Sequence, residues 1–262
     1  MPNNVPKLPP MSFWKELFAA VTLGLICGWY FIVLLTVPIM IYFSIYGTTI
    51  PQYLCIAMLS ILTYASLTSL DFKPRPKFMY AWFWKIWLEY FDYTFDISSV
   101  GDKGVMKKGE KYFFFEFPHA IFPMGQFLSA SIIEEMFPGT MICGTGANII
   151  FKFPFMRQLM SRLGTRPATS ASFQKHFDAG YHAAVVPGGI AEMYMVNEKS
   201  EGLYLRQRRS TVKLAIKHQT TIIPTFFFGN SRIFHVPSSN GVFSSVSRAL
   251  RMSIVAFYGR FF

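Results

Sequence analysis

Charged and apolar positions are distributed very unevenly along the 262 residues. Between Glu16 and Asp71 there is no Asp, Glu, Lys or Arg, so the 54 residues 17–70 carry no formal charge. At 1.5 Å per residue they would make about 80 Å of helix, against a hydrocarbon core about 30 Å thick. One straight span cannot use them all; two can. Gly47-Thr48-Thr49-Ile50-Pro51-Gln52 is the natural turn between spans at Leu17–Tyr46 and Tyr53–Leu70. Pro38 inside the first span predicts a kink rather than a break, because neighbouring groups can re-satisfy the freed carbonyl. The alternative is a pair of core helices in a water-soluble protein, which rarely run so long without charge.

From Asp71 onward the pattern changes to short apolar runs separated by amphipathic ones. Lys111–Phe117 predicts a buried strand, Gln126–Met136 a helix, Thr140–Gly144 a strand, and Pro154–Leu163 a helix closed by Gly164. Ser172–Ala179 predicts a helix ended by Gly180, and Tyr181–Val186 a strand. Ser210–His218 predicts a helix N-capped by Ser210, and Thr221–Phe228 a strand interrupted at Pro224. The fold class is therefore α/β: a two-span membrane hairpin at 17–70, preceded by an arm at 1–16, and followed at 71–262 by an α/β domain built on a mixed sheet. There is no internal repeat, and low complexity is confined to the Pro-rich first ten residues.

Composition sharpens this picture. The chain is 52% apolar and only 15% charged, well below the roughly 25% of an ordinary soluble domain, which excludes a disordered chain. Cys27, Cys55 and Cys143 form no disulfide framework and no metal-binding pair, so a reducing compartment fits. Lys7 and Lys15 precede the hairpin, and Lys73, Arg75, Lys77 and Lys85 follow it, which places both ends in the cytosol by the positive-inside rule. Trp14, Trp82, Trp84 and Trp87 suit interfacial anchors. A net charge of +11 calls for an anionic partner.

Three segments can carry chemistry. In Phe113-Phe114-Phe115-Glu116-Phe117-Pro118-His119 an aromatic strand ends at a histidine, and strand C-termini are where open α/β sheets place their sites. His119 can serve as a general base near neutral pH; the plainer reading is a turn histidine. In Val185-Val186-Pro187-Gly188-Gly189-Ile190-Ala191-Glu192, Gly188 and Gly189 let a ligand approach main-chain N–H groups. Glu192 would orient His119 or bind a substrate hydroxyl; alternatively it is a first-turn carboxylate favoured by the helix dipole. The third segment is Arg206-Gln207-Arg208-Arg209-Ser210-Thr211-Val212-Lys213. Beyond Glu201 the chain has nine Lys or Arg and no Asp or Glu, a one-sided field suited to phosphates or to anionic lipid. Gly144-Thr145-Gly146-Ala147-Asn148-Ile149 lacks the third glycine of a dinucleotide fingerprint, and the histidines are too scattered for a metal site.

Together these segments resemble the type-2 diacylglycerol acyltransferase family, which includes monoacylglycerol and wax-alcohol acyltransferases. Phe117-Pro118-His119-Ala120 stands where the family has His-Pro-His-Gly. Phe137-Pro138-Gly139 leads through Gly146-Ala147-Asn148 to Pro154-Phe155-Met156-Arg157, and Gly188-Gly189-Ile190-Ala191-Glu192 matches Gly-Gly-x-x-Glu. Arg206-x-Arg208-Arg209, Val212-Lys213-Leu214-Ala215, Ile223-Pro224 and Phe228-Gly229-Asn230 follow in the family's order. Phe117 replaces the first histidine, Ala120 the glycine, and Ser210-Thr211 the usual Gly-Phe. The chain ends near where the family continues, which implies a short or C-terminally truncated member.

The resemblance implies a membrane enzyme of the endoplasmic reticulum and lipid droplet. It would move a fatty acyl group from acyl-CoA, as co-substrate and without cofactor or metal, to a neutral lipid acceptor such as diacylglycerol. His119 and Glu192 would be catalytic, with Gly188, Gly189, Asn148, Arg206, Arg208, Arg209 and Lys213 binding substrate. A lysophospholipid acyltransferase would need His-x-x-x-x-Asp, but Met124 stands five residues after His119. A non-enzymatic hairpin scaffold remains an alternative, whereas nucleic acid is a poor partner for a chain with two spans and no recognisable binding module.

Overall fold

The computed structural model describes residues 10–97, 106–107, 109–195, 202–206, 208–235 and 257–259. The Pro-rich stretch at 1–9, with Lys7, lies outside them. Two long helices open the chain, α1 at Phe13–Tyr46 and α2 at Thr49–Leu67. Both are long and apolar enough to cross a membrane, and only 17% and 6% of their most apolar windows are buried. They are therefore not core helices. The turn between them is tighter than the pattern predicts: only Gly47 and Thr48 are non-helical, with the Gly47 N–H closing on the Phe43 carbonyl at 2.9 Å. Helix α1 runs on through Pro38.

The first half of α1 docks on the domain. Ala19, Leu23 and Cys27, spaced four apart and so on one helical face, are its buried stripe. They meet α4 (Trp82–Tyr90), which follows the single turn α3 (Pro76–Met79). Trp87 Nε1 donates to Thr22 Oγ1 at 2.9 Å, and Lys15 pairs with Glu89 at 2.8 Å. Only Trp14 and Trp82 of the four expected interfacial tryptophans are exposed. Trp84 and Trp87, three apart on α4, turn inward and stack with Phe127 in the core.

The domain's sheet has five strands: β1 Tyr112–Phe117, β2 Ile142–Gly146, β3 Arg166–Pro167, β4 His182–Val185 and β5 Thr221–Phe226, in the spatial order β3-β2-β4-β1-β5. Every pairing is parallel, so the expectation of a mixed sheet is corrected. Helical segments separate the strands, and among the described residues no hairpin turn joins two of them. Central β1 is apolar on both faces: Tyr112 and Phe114 pack with Trp84, Met124 and Phe137, while Phe113, Phe115 and Phe117 pack with Phe173, Phe177, Val185 and Ala215.

Other boundaries shift for local reasons. The helix expected at Gln126–Met136 splits into α5 (Met124–Ser129) and α6 (Ile133–Met136). Ser129 and Ser131 hydroxyls bond back to the carbonyls of Gln126 and Leu128, competing with the helical ladder. Helices α7 (Met156–Arg162) and α8 (Ser170–Asp178) end near Gly164 and Gly180, both at positive φ. A short α9 spans Gly189–Met193. Helix α10 (Arg209–Lys217) starts one residue early, with Arg208 at the N-cap position, so Ser210 caps nothing. Pro224 does not interrupt β5, which among the described residues is an edge strand paired only with β1 and tolerates a missing donor.

Phe113 is fully buried, with ring centroids of Phe115 and Phe173 each 5.0 Å away. Phe113→Ala should cost about 3–5 kcal/mol, read as a lower unfolding midpoint in denaturant titrations of detergent-solubilised protein.

Candidate active site

Strands β1 and β4 lie side by side in register, Phe115 opposite Val185, so the segments that leave their C-terminal ends emerge together. From β1 the chain passes a cis Phe117–Pro118 bond to His119, and from β4 it passes Val186 and Pro187 to Gly188 and Gly189. One carboxylate joins the two. Glu192, 2% exposed, accepts the main-chain N–H of His119 on Oε1 at 2.7 Å and that of Tyr204 on Oε2 at 3.2 Å. Glu192 thus reaches His119 through its backbone, placing the turn rather than gripping the imidazole. The carboxylate folds back over Gly188, where a Cβ would overlap it and lie 2.6 Å from the Glu192 Cβ.

The imidazole's tautomer follows from its partner. His119 Nδ1 lies 2.8 Å from the Ala120 carbonyl oxygen, which can only accept, so Nδ1 carries the proton and Nε2 keeps its lone pair. Burial pushes the His119 pKa below its ordinary 6.5, the Ala120 carbonyl opposes this, and the nearby Arg208 cation lowers it again. The free imidazole is therefore neutral at physiological pH. Glu116, upstream on β1, is pushed up to about 8 by desolvation and is mostly protonated at pH 7, so it brings little negative charge.

Arg208 belongs to this cluster. Its Nη2 donates to the Gly188 carbonyl at 2.8 Å, its guanidinium lies 5.2 Å over the Tyr204 ring, and the same Nη2 would be 3.5 Å from a Cβ on Gly189. The other basic residues stand apart: Arg206, Arg209 and Lys213 are exposed. Asn148, also exposed, opens a 3-10 turn (Asn148–Lys152) after β2, one strand beyond β4. The structure thus gathers His119, Glu192, Gly188, Gly189 and Arg208, and leaves Asn148, Arg206, Arg209 and Lys213 outside that bonded cluster.

Asn230 is a residue that the sequence reading did not single out as part of the site. Buried to 3% exposure, it donates to the Pro118 carbonyl at 3.1 Å and to Gln126 Oε1 at 3.1 Å, and accepts the Gly125 N–H at 3.0 Å. Gln126 Nε2 also donates to the Pro118 carbonyl, at 2.8 Å. The turn carrying His119 is thereby fixed from below. The signal was Phe228-Gly229-Asn230, a polar amide after an edge strand, whose partner is distant in sequence.

An imidazole with a free basic nitrogen, near a guanidinium and a glycine turn at the C-terminal edge of a parallel sheet, can take a proton from a hydroxyl, with a positive charge at hand for a developing oxyanion. That is the chemistry of acyl transfer to an alcohol. Residues 46–262 match the family model for diacylglycerol acyltransferase, and the chain belongs to that family. It is similar to acyl-CoA wax alcohol acyltransferase 2 of Homo sapiens, 25% identical over 95% of this chain and 78% of that protein. It is also similar to diacylglycerol O-acyltransferase 2 of Dictyostelium discoideum, 27% identical over 60% of this chain and 48% of the relative. A third relative, 2-acylglycerol O-acyltransferase 1 of Mus musculus, is 28% identical over 58% of this chain and 47% of its own length. Against the last two the chain aligns with about half their length. No solved structure matches.

Ala120 stands at φ 52°, left-handed backbone that costs a non-glycine residue about 1–2 kcal/mol. Ala120→Gly should therefore raise stability by up to about 1 kcal/mol, read as a higher unfolding temperature. Gly188→Ala should do the reverse, because the Glu192 carboxylate must leave its seat, releasing the N–H groups of His119 and Tyr204; it should lower the unfolding temperature.

Proposed function

We propose that this acyltransferase moves a fatty acyl group from acyl-CoA to the hydroxyl of diacylglycerol, giving triacylglycerol. The observation that carries the reading is the His119 ring, whose Nδ1–H is held by the Ala120 carbonyl so that Nε2 stands ready as a base. Nε2 takes the acceptor's hydroxyl proton as its oxygen attacks the thioester carbonyl. The Gly188 and Gly189 N–H groups, with Arg208 alongside, stabilise the oxyanion. Collapse of the tetrahedral intermediate breaks the C–S bond, and the imidazolium returns the proton to the leaving thiolate. The thioester is already activated, so no covalent enzyme intermediate and no cofactor is required.

The exposed cations Arg206, Arg209 and Lys213 seat the coenzyme A phosphates on the aqueous side. Helices α1 and α2 hold the domain on the endoplasmic reticulum or lipid-droplet surface with both chain ends cytosolic. The family match supports diacylglycerol as acceptor, whereas the wax-alcohol relative, aligned over 95% of this chain, favours a long-chain alcohol as the second reading.

Microsomes carrying the protein should incorporate labelled acyl-CoA into triacylglycerol, and His119→Ala should reduce that rate by about 10²–10⁴-fold at equal protein level. Incorporation only into added long-chain alcohol moves the assignment to the second reading, and undiminished incorporation by the variant removes His119 as base. Because burial and Arg208 lower the His119 pKa, its base form persists into mild acid, and the acid limb of activity should fall below 6.5.

The basic block should divide in kinetics as it does in space. Arg206→Ala, Arg209→Ala or Lys213→Ala should raise the KM for acyl-CoA with kcat little changed. Arg208→Gln should lower kcat and move the acid limb upward, since removing a cation beside an imidazole raises its pKa; Arg208→Lys should leave the limb in place. The other groups around His119, the Glu192 carboxylate at its N–H and the mostly neutral Glu116, are unchanged in both variants.

A further inference from the structure

Pro154-Phe155-Met156-Arg157 takes no part in the acyl-transfer cluster, yet both apolar helices dock on it and its neighbours. Trp29 Nε1 of α1 donates to the Pro154 carbonyl at 2.6 Å, with Trp29 and Phe155 ring centroids 5.4 Å apart and Tyr30 and Phe153 4.6 Å apart. Near the end of α2, the Ala65 carbonyl accepts from Arg157 Nη1 at 3.4 Å and from Gln158 Nε2. One segment, residues 153–158, thus holds the descending and returning arms at a common level.

That level is not the margin of the apolar zone. Trp29 stands about 26 Å from the Tyr46 end of α1 at 1.5 Å per residue, less than the about 30 Å of a hydrocarbon core. Apolar side chains stay exposed on both sides of it: Leu25, Val21 and Leu17 toward the charged Lys15–Glu89 pair, and Leu34, Leu35 and Ile39 toward the turn. Phe155 lies within this zone and is 45% exposed.

Its backbone is also unusual. Phe155 has φ 61° and ψ −45°, and the Met156 N–H bonds across it to the Pro154 carbonyl at 2.8 Å, a γ-turn of the rare positive-φ kind. The strain of such a turn is the same in any solvent, but an aromatic ring half out in water is costly. Among lipid chains the exposed ring is instead accommodated.

We propose that residues 153–158 form a membrane-embedded clasp, with the Phe155 ring in contact with the acyl chains of the near leaflet, so that the rim of the catalytic domain lies in the bilayer rather than above it. This rests on the membrane reading of α1 and α2 given above. The segment continues from Asn148–Lys152 at the C-terminal end of β2, on the sheet edge that bears the site.

The test uses the full chain in phosphatidylcholine vesicles, in a Cys55→Ser background where the remaining Cys27 and Cys143 are buried. Phe155→Cys carries an environment-sensitive fluorophore; Ile45→Cys near the turn and Lys175→Cys on the exposed face of α8 are the lipid and water references. Phase-separated binding of the label to each variant checks folding and insertion alongside acyl transfer. The Phe155 label should lose emission to nitroxides on the lipid chains and resist aqueous iodide, as the Ile45 label does, with Lys175 the reverse. If Phe155 behaves as Lys175 while Ile45 is quenched by lipid, the clasp is wrong and the hairpin stands. If Ile45 is also quenched by iodide alone, the clasp and the membrane reading fall together.

Discussion

A single buried carboxylate organises the site. Glu192 sits between the turn after β1 and the irregular segment that leads into the basic block, and each of its oxygens accepts a main-chain N–H, one from His119 and one from Tyr204. Charge-assisted bonds of this kind are short and strong, and burial makes them expensive to leave unmade. The Glu192 carboxylate occupies the space a side chain on Gly188 would need, and Arg208 donates to the Gly188 carbonyl. Three segments far apart in sequence are thereby fixed to one another before any substrate binds.

The physical consequence is division of labour among similar residues. Four basic positions look equivalent in the sequence, but only Arg208 is half-buried and bonded to the glycine turn. Its neighbours Arg206, Arg209 and Lys213 are exposed to solvent. A cation placed beside a desolvated imidazole favours the neutral ring, while cations at the rim act on the ligand's approach.

Much of this was legible from residue order. The charge-free stretch at 17–70 set two long helices, the alternation after Lys111 set strands separated by helices, and the strand-end rule put His119 and Gly188 at the same edge. What was not legible depended on contacts distant in sequence. Parallel pairing throughout required knowing that β1 lies between β4 and β5, and Trp84 and Trp87 read as interfacial anchors until α4 packed against α5. Asn230 stood out only as a polar amide after a strand, and its role was hidden because its partners, Pro118 and Gln126, lie more than a hundred residues away. Glu192 could be read from the Gly-Gly-x-x-Glu spacing as a partner of His119, but its grip on a main-chain N–H rather than on an imidazole is a matter of a few ångströms that no spacing encodes.

Pro224, at the middle of edge strand β5, has a consequence beyond local pairing. An uncovered strand margin is a template onto which another polypeptide can add, and an imino acid in its centre withholds one of the donors such addition needs. Among the described residues the outer margin of β5 has no partner strand, so the missing donor at Pro224 makes that margin a poorer template for an added strand.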